Sequence, residues 1–261
     1  MYNAPEQNIL ILGSALPSVA EAALRSLCRS WEALLAPWLT PQQLCHIRHF
    51  APEGAALSAR ASRLLARLLL LRGLQILQGP SRTGLRLDRD AWGRPLLPGW
   101  RVGFSHSGQA AFCALWAERG RSKLHERKKE RTGSGHHVCS DAVWHTGLGL
   151  DAETLDTPPP AARAFAEERG GAVSARDALR RWTVKEAALK ALGAGLALDP
   201  ALVQSGRDGQ RAGLLRIRGQ SLRWRVLACP AHWLCLAYGE AEAHPAISLR
   251  WLTAAGARGL P

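Results

Sequence analysis

Between Ser58 and Leu77 the chain carries a leucine-rich run that arginine interrupts at Arg60, Arg63, Arg67 and Arg72. Leucines at helical spacing argue for a helix, and the arginines arrayed around the leucine face make it amphipathic. Charge inside the apolar core, at Arg67 and Arg72, excludes a membrane span. A leucine face of that length must be covered by other elements of a globular domain. Gly79-Pro80 ends the helix.

The flanking segments supply the cover. Ile9–Gly13 reads as a strand, and helical patterns run through Ser18–Leu39. Thr40-Pro41 has the form of an N-cap followed by proline at the first helical position, which starts a further helix at Gln42. After a loop containing Trp92-Gly93-Arg94-Pro95, two strands follow at Trp100–Phe104 and Ala110–Trp116. Ser105-His106-Ser107-Gly108 forms a turn-rich connection between them. The second half repeats the theme. A strand at Leu148–Glu153 and a loop at Pro158-Pro159-Pro160 precede a helix that starts in the capping box of Ser174-Ala175-Arg176-Asp177. It runs to Leu192, stopped by Gly193 and Gly195. Strands follow at Leu214–Arg218, Leu222–Leu227 and His232–Tyr238. The expected fold is α+β, with two pseudo-symmetric lobes, each an antiparallel sheet packed with helices. Residues 1–117 form the first lobe and 146–261 the second. The stretch 118–145 is poor in apolar residues and contains Arg127-Lys128-Lys129, so a mobile basic insertion is expected there. A metal site from His136, His137, Cys139 and His145 is disfavoured, because adjacent histidines lack the usual ligand spacing.

The formal net charge of +13 and pI near 10.5 favour an anionic partner: nucleic acid, an acidic membrane surface, a phosphate-rich small molecule or an acidic protein. No recognition-helix, zinc-finger or aromatic-platform pattern accompanies the charge, which argues against nucleic acid. The six cysteines show no ligand spacing, and several sit in apolar runs. Reduced thiols are therefore expected, in a reducing compartment. Met1–Gln7 has no basic flank and Ile9–Leu12 is too short for a signal peptide, so a cytoplasmic protein is expected.

Three constellations carry chemistry. In Gly149-Leu150-Asp151-Ala152-Glu153 a strand places Asp151 and Glu153 on one face. Side-by-side carboxylates repel, and a hard divalent cation such as Mg²⁺ would offset that cost. An exposed acidic strand end is the plainer alternative. In Trp182-Thr183-Val184-Lys185-Glu186-Ala187-Ala188-Leu189-Lys190, Glu186 and Lys190 are i,i+4 neighbours on a stripe with Trp182 and Leu189. They read as a solvated ion pair, or as a carboxylate ligand and an ammonium that grip one polyphosphate. Phe104-Ser105-His106-Ser107-Gly108 offers phosphate donors, or an ordinary hairpin turn.

Taken in order, these segments and the upstream Gly93-Arg94-Pro95 resemble the 4′-phosphopantetheinyl transferase superfamily. The later motif, W-T-V-K-E-A-A-L-K-A-L-G-A-G over Trp182–Gly195, is the most specific, and the resemblance spans about Thr40 to Leu198. Size and two lobes resemble the Sfp-type (surfactin-synthetase-activating) group. The resemblance implies a Mg²⁺-dependent enzyme, with Mn²⁺ able to substitute and holo-acyl-carrier-protein synthase activity. It would move the 4′-phosphopantetheine of coenzyme A to a serine of an acidic apo-carrier protein, acyl or peptidyl, releasing 3′,5′-ADP. A monomer serving fatty-acid or secondary-metabolite biosynthesis, with no nucleic-acid or membrane partner, is implied too. By the same resemblance Asp151, Glu153 and Glu186 hold the metal, and Glu186, Lys190 and Asp151 carry catalysis. Arg63, Arg94, Ser105, His106, Lys185 and Lys190 bind coenzyme A. The family's R-x-F-x-x-x-E segment falls at Arg163–Arg169 with its glutamate out of register, so Glu167, Glu168 or a metal-bound water is the general base. Gln43 and His46 stand where the family often has lysines.

Overall fold

The computed structural model describes residues 8–50, 53–79, 86–90, 92–118, 146–158, 174–240 and 244–253. The expected insertion beyond Glu118, and Glu167 and Glu168, lie outside the described residues. The first lobe runs β1 (Asn8–Ala15), α1 (Glu21–Leu35), α2 (Pro41–Arg48), α3 (Gly54–Gln78), β2 (Asp88–Arg89), β3 (Pro95–Leu96), β4 (Trp100–Ser107) and β5 (Ala110–Ala117). The second runs β6 (Gly149–Thr154), α4 (Ala175–Leu192), β7 (Ala212–Ile217), β8 (Gln220–Cys229) and β9 (His232–Gly239). A last strand, β10 (Ala246–Leu252), follows.

Two four-stranded sheets result, in the orders β10-β1-β5-β4 and β6-β9-β8-β7. The triplets β1-β5-β4 and β6-β9-β8 are topologically equivalent. In each, a strand leads into the helices and a hairpin returns, its last strand antiparallel to the first. This is the expected α+β architecture with a repeated lobe.

The leucine-rich run forms α3 and buries its apolar face on β5 and β1. A Cβ on Gly73 would come within 2.5 Å of Leu115 Cδ1, so glycine permits that close approach. α4 covers the second sheet through Val184, Ala188, Leu189 and Leu192 against Leu222, Trp224 and Val226. Between the sheets a third cluster packs Ile9, Ile11, Phe112 and Trp116 against Leu150, Leu234, Leu236 and Tyr238. The layers are therefore helix, sheet, sheet, helix. No helix among the described residues is long and apolar enough to cross a membrane.

Local signals place the helix ends. Thr40 caps α2 by accepting from Gln43 N (3.4 Å) and ties it to β2 by donating to Asp88 Oδ1 (3.0 Å). Ser174 accepts from Asp177 N at 3.2 Å, and Gly193 ends α4 with φ of 72°. Inside α4, Asp177 receives Arg180 (2.5 Å) and Arg181 (2.6 Å), all three buried.

Two expectations need correction. Ser105-His106-Ser107 belongs to β4, and the turn is confined to Gly108-Gln109. The final strand leaves the second lobe and pairs parallel with β1, Asn8 opposite Ala246 through Ser14 opposite Leu252. A boundary at 146 therefore does not hold for 246–252, and the first sheet carries one parallel edge. Alternation of Ile247, Leu249 and Trp251 with Ser248 and Arg250 marks a strand in the sequence. Its partner is not marked, because parallel pairing needs a long crossover.

The β8–β9 turn stores strain. Pro230 fixes the first central position and Ala231 holds φ of 56°, the type II pattern that favours glycine. Ala231→Gly is expected to stabilise the protein by roughly 0.5–1 kcal/mol, read as a small rise in Tm. A fall in Tm would show that the alanine methyl makes a contact worth more than the strain.

Candidate functional site

The lobes join where β4 of the first sheet meets β6 of the second. Two glycines allow it. A Cβ on Gly103 would lie 2.9 Å from Leu148 O, and one on Gly149 would overlap the Ala187 carbonyl and come within 2.5 Å of Ala191 N. The first brings β4 onto β6; the second seats α4 on β6. Across the junction Ser105 Oγ accepts from Ala152 N (3.0 Å) and donates to Asp151 Oδ1 (3.2 Å). Ser107 repeats the pattern, accepting from Thr154 N (2.8 Å) and donating to Glu153 Oε2 (3.3 Å). These hydroxyls satisfy backbone donors of an edge strand and aim its carboxylates.

Asp151 is 3% exposed. Its Oδ1 accepts from Lys190 Nζ at 2.5 Å, and its Oδ2 is buried without a hydrogen-bond partner. Lys190 Nζ also lies 3.9 Å from Glu186 Oε2. Burial raises the Asp151 pKa despite the bonds from Lys190 and Ser105. Burial, then the charges of Asp151 and Glu186, push Glu153 up to about 7. Burial and Asp151 raise Glu186. Burial opposes the charge on Lys190, but Asp151 and Glu186 outweigh it and raise its pKa. Three carboxylates thus share one ammonium.

Among the described residues no three His, Cys, Asp or Glu side chains form a closed metal-binding group. The donor chemistry nonetheless suits a hard divalent cation. Asp151 offers an unpartnered buried oxygen, and Glu153 and Glu186 are held up in pKa by negative neighbours that a cation would offset.

Next to the carboxylates stands a basic group. Arg67, 7% exposed, donates from Nη1 to Arg63 O (3.1 Å) and from Nη2 to Gln43 Oε1 (3.1 Å), and its guanidinium carbon lies 4.6 Å from the Phe104 ring centroid. Its Nε is buried without a partner, and burial followed by the charge of Arg63 brings its pKa to about 10. Arg63 donates to Ala59 O (2.9 Å) and sits 3.7 Å over Phe50. His46 is lowered to about 4 by burial and by Arg89, Arg67 and Arg63. His106 is lowered to about 4 by desolvation and by Arg63, Lys190 and Arg67. A buried guanidinium facing other cations calls for an anionic ligand.

The structure brings Asp151, Glu153, Glu186, Lys190, His106 and Arg63 to one junction. Ser105 lies beneath it, with its hydroxyl engaged by Asp151 and Ala152. Arg94 bonds Asp90 Oδ2 (2.6 Å) and its side chain packs on Gly193, where a Cβ would come within 2.7 Å of Arg94 Cδ. It spans from the first lobe to the C-terminal end of α4. The expectation for Lys185 is corrected. Its side chain is fully buried, with Nζ donating to Pro200 O (2.9 Å) and to Val203 O. One residue from Glu186, it is rotated about 100° around the helix, into the core, where it holds the 200–203 segment. Arg67 was named only among the helix arginines and His46 only as standing where the resembled family often has lysines; Arg89 was not singled out from sequence. Arg63 and Arg67 share a helical face at i,i+4, which was the available signal; His46 and Arg89 join them only through tertiary packing.

A depressed histidine makes the folded state bind fewer protons than the unfolded one. Stability from this source is full above the ordinary histidine range near 6.5 and is lost as pH falls towards 4. His46→Gln removes that loss. The Tm difference between His46→Gln and wild type should therefore shift in favour of the variant from pH 7.5 to pH 5; a constant difference would refute the shift.

Residues 147–246 match the family model described as the 4′-phosphopantetheinyl transferase superfamily. The matched stretch contains the β6 carboxylates and the whole of α4. No curated protein matches the chain.

Proposed function

We propose that this protein is a two-lobed, Sfp-type 4′-phosphopantetheinyl transferase that moves the phosphopantetheine arm of coenzyme A to a serine of an acidic apo-carrier protein. The observation that carries this reading is the two-sided charge of the junction. Asp151, Glu153 and Glu186 gather around Lys190, and His106, Arg63, Arg67, Arg89 and His46 form the basic side beside them. Such a site suits a polyphosphate bridged to protein carboxylates by a divalent cation.

Asp151, Glu153 and Glu186 would hold that cation, Mg²⁺ or Mn²⁺, which when bound supplies Lewis-acid charge on the pyrophosphate. Arg63, Arg67, Arg89, His46 and His106 would bind the nucleotide phosphates. Arg94 would keep the lobes in register at the pocket edge. Ser105 and Ser107 would hold Asp151 and Glu153 in orientation. Lys190 would stabilise negative charge on the transferred phosphoryl oxygens. The carrier serine oxygen forms a bond to the β-phosphorus as the bond to the 3′,5′-ADP oxygen breaks; the serine proton goes to a base. A monomer in the cytoplasm, with reduced thiols, completes the reading, and the basic surface would steer both anionic substrates.

Intact-mass spectrometry of apo-carrier proteins incubated with this protein, coenzyme A and Mg²⁺ tests it. A chelator-sensitive gain of one phosphopantetheine is the expected result. No gain across fatty-acid, polyketide and peptide carriers, with folded protein, would overturn it.

A further inference from the structure

The outer face of β7 and β8 carries chemistry that the junction does not use. By register, Ala212, Leu214 and Arg216 of β7 share a face with Ser221, Arg223 and Arg225 of β8 and with Tyr238 of β9. The opposite face, with Leu215, Leu222 and Trp224, is buried under α4. The first sheet covers the outer face at Leu234, Leu236 and Tyr238 of β9 and reaches β8 only at Leu227 and Cys229. Beyond that edge Leu214 remains 44% exposed, and Arg216 and Arg225 are exposed.

Along the edge runs a row of arginine and aromatic groups. The Arg101 guanidinium carbon lies 5.2 Å from the Trp116 ring centroid, and Trp116 lies 5.6 Å from Tyr238. Tyr238 stands directly opposite Arg223 in the β8–β9 ladder. Two donors in the row are buried without an acceptor: Nε1 of Trp116, itself 3% exposed, and Nε of Arg223. Leaving such a donor unmet costs about 1–3 kcal/mol, and here it happens at two neighbours of one tyrosine. Among the described residues, Glu118 meets the row 3.3 Å from Arg101 Nε.

We propose that this face is a docking surface for an acidic segment of the protein substrate. Carboxylates of the partner accept from Arg216, Arg223 and Arg225, and an apolar side chain covers Leu214. Exposed arginines of one sign of charge beside an exposed leucine suit an acidic partner that also buries an apolar side chain. Reach permits simultaneous engagement with the transfer site. From Arg101 to Ser105–Ser107 β4 spans four to six residues, roughly 13–20 Å, less than the breadth of a small folded partner. The assignment rests on the proposed transfer to an acidic carrier.

The test uses the full chain saturated with coenzyme A, so that the basic group at the junction is occupied. Arg223→Glu with Arg225→Glu is compared with wild type, and Arg223→Gln with Arg225→Gln guards against misfolding. Fluorescence anisotropy of a labelled hexaglutamate peptide should show binding weakened about tenfold or more by charge reversal, and less by neutralisation. The KM for an apo-carrier should rise in parallel, with kcat and coenzyme A affinity unchanged. Equal peptide binding by all three proteins would overturn the proposal, as would a labelled oligonucleotide that binds this face in preference to the peptide. Because the peptide arm needs no transfer, a wild type that binds the peptide but modifies no carrier would defeat the transfer reading and leave the acidic-segment surface standing.

Discussion

Glu186→Gln is expected to lower phosphopantetheine transfer by on the order of 10²–10³-fold while the protein keeps or gains thermal stability. The two effects share a cause. Glu186 sits in α4 beside Asp151, and burial and that negative neighbour raise its pKa. A carboxyl raised in this way favours the folded state most when protonated. Its stabilising share is present below the ordinary carboxylate range and is lost as pH rises through the folded-state pKa. Above that range the ionised group is a liability. The amide should therefore leave Tm at pH 8 equal to or above wild type, with the gap widening from pH 5 to pH 8. Transfer by single-turnover mass analysis, and thermal melts across that range, measure both. Wild-type turnover would remove Glu186 from the site, and a large Tm loss would give it a structural role.

Gly149→Ala is the second large effect. The new methyl would overlap the Ala187 carbonyl and approach Ala191 Cβ to 2.9 Å, so the obstacle is helix backbone rather than a flexible side-chain end. α4 must move off β6. Overpacking of this kind costs about 1–3 kcal/mol, occasionally more, and the upper part of that range is expected. The displacement would also part Lys190 and Glu186, on the helix, from Asp151, on the strand. Tm should fall by several degrees, and stabilisation by Mg²⁺ with coenzyme A should disappear. A variant that melts like wild type would show that the strand and helix can separate without harm.

Much of this arrangement was legible because local chemistry marked it. Thr40-Pro41, Ser174 and Gly193 set helix ends by hydrogen bonds and by a left-handed backbone that residue types announce directly. Asp151, Glu153, Glu186 and Lys190 were visible as a pattern of charge on periodic elements, and the structure gathers them. Lys185 was expected to be a ligand by the resemblance, whereas its place on the helix turns it inward to backbone carbonyls. Ser105 and Ser107 were read as turn residues because serine and glycine are common in turns. Their place in β4 is set by pairing with Phe112 and Ala110. Arg89 carries no local mark, and His46 was marked only by its position in the resemblance, since the fold alone brings them beside Arg63 and Arg67.

The parallel pairing of β10 with β1 also bears on how the molecule is made. β1 pairs on one side with β5, but its other neighbour is synthesised only after the whole second lobe. Until then the nascent first lobe exposes the backbone donors and acceptors of an unpaired strand edge, a template for mispairing between chains. Closing so distant a contact is entropically slow. The first sheet is thus finished last, and truncation before Ala246 would leave a polypeptide that retains the carboxylate junction yet tends to associate through β1.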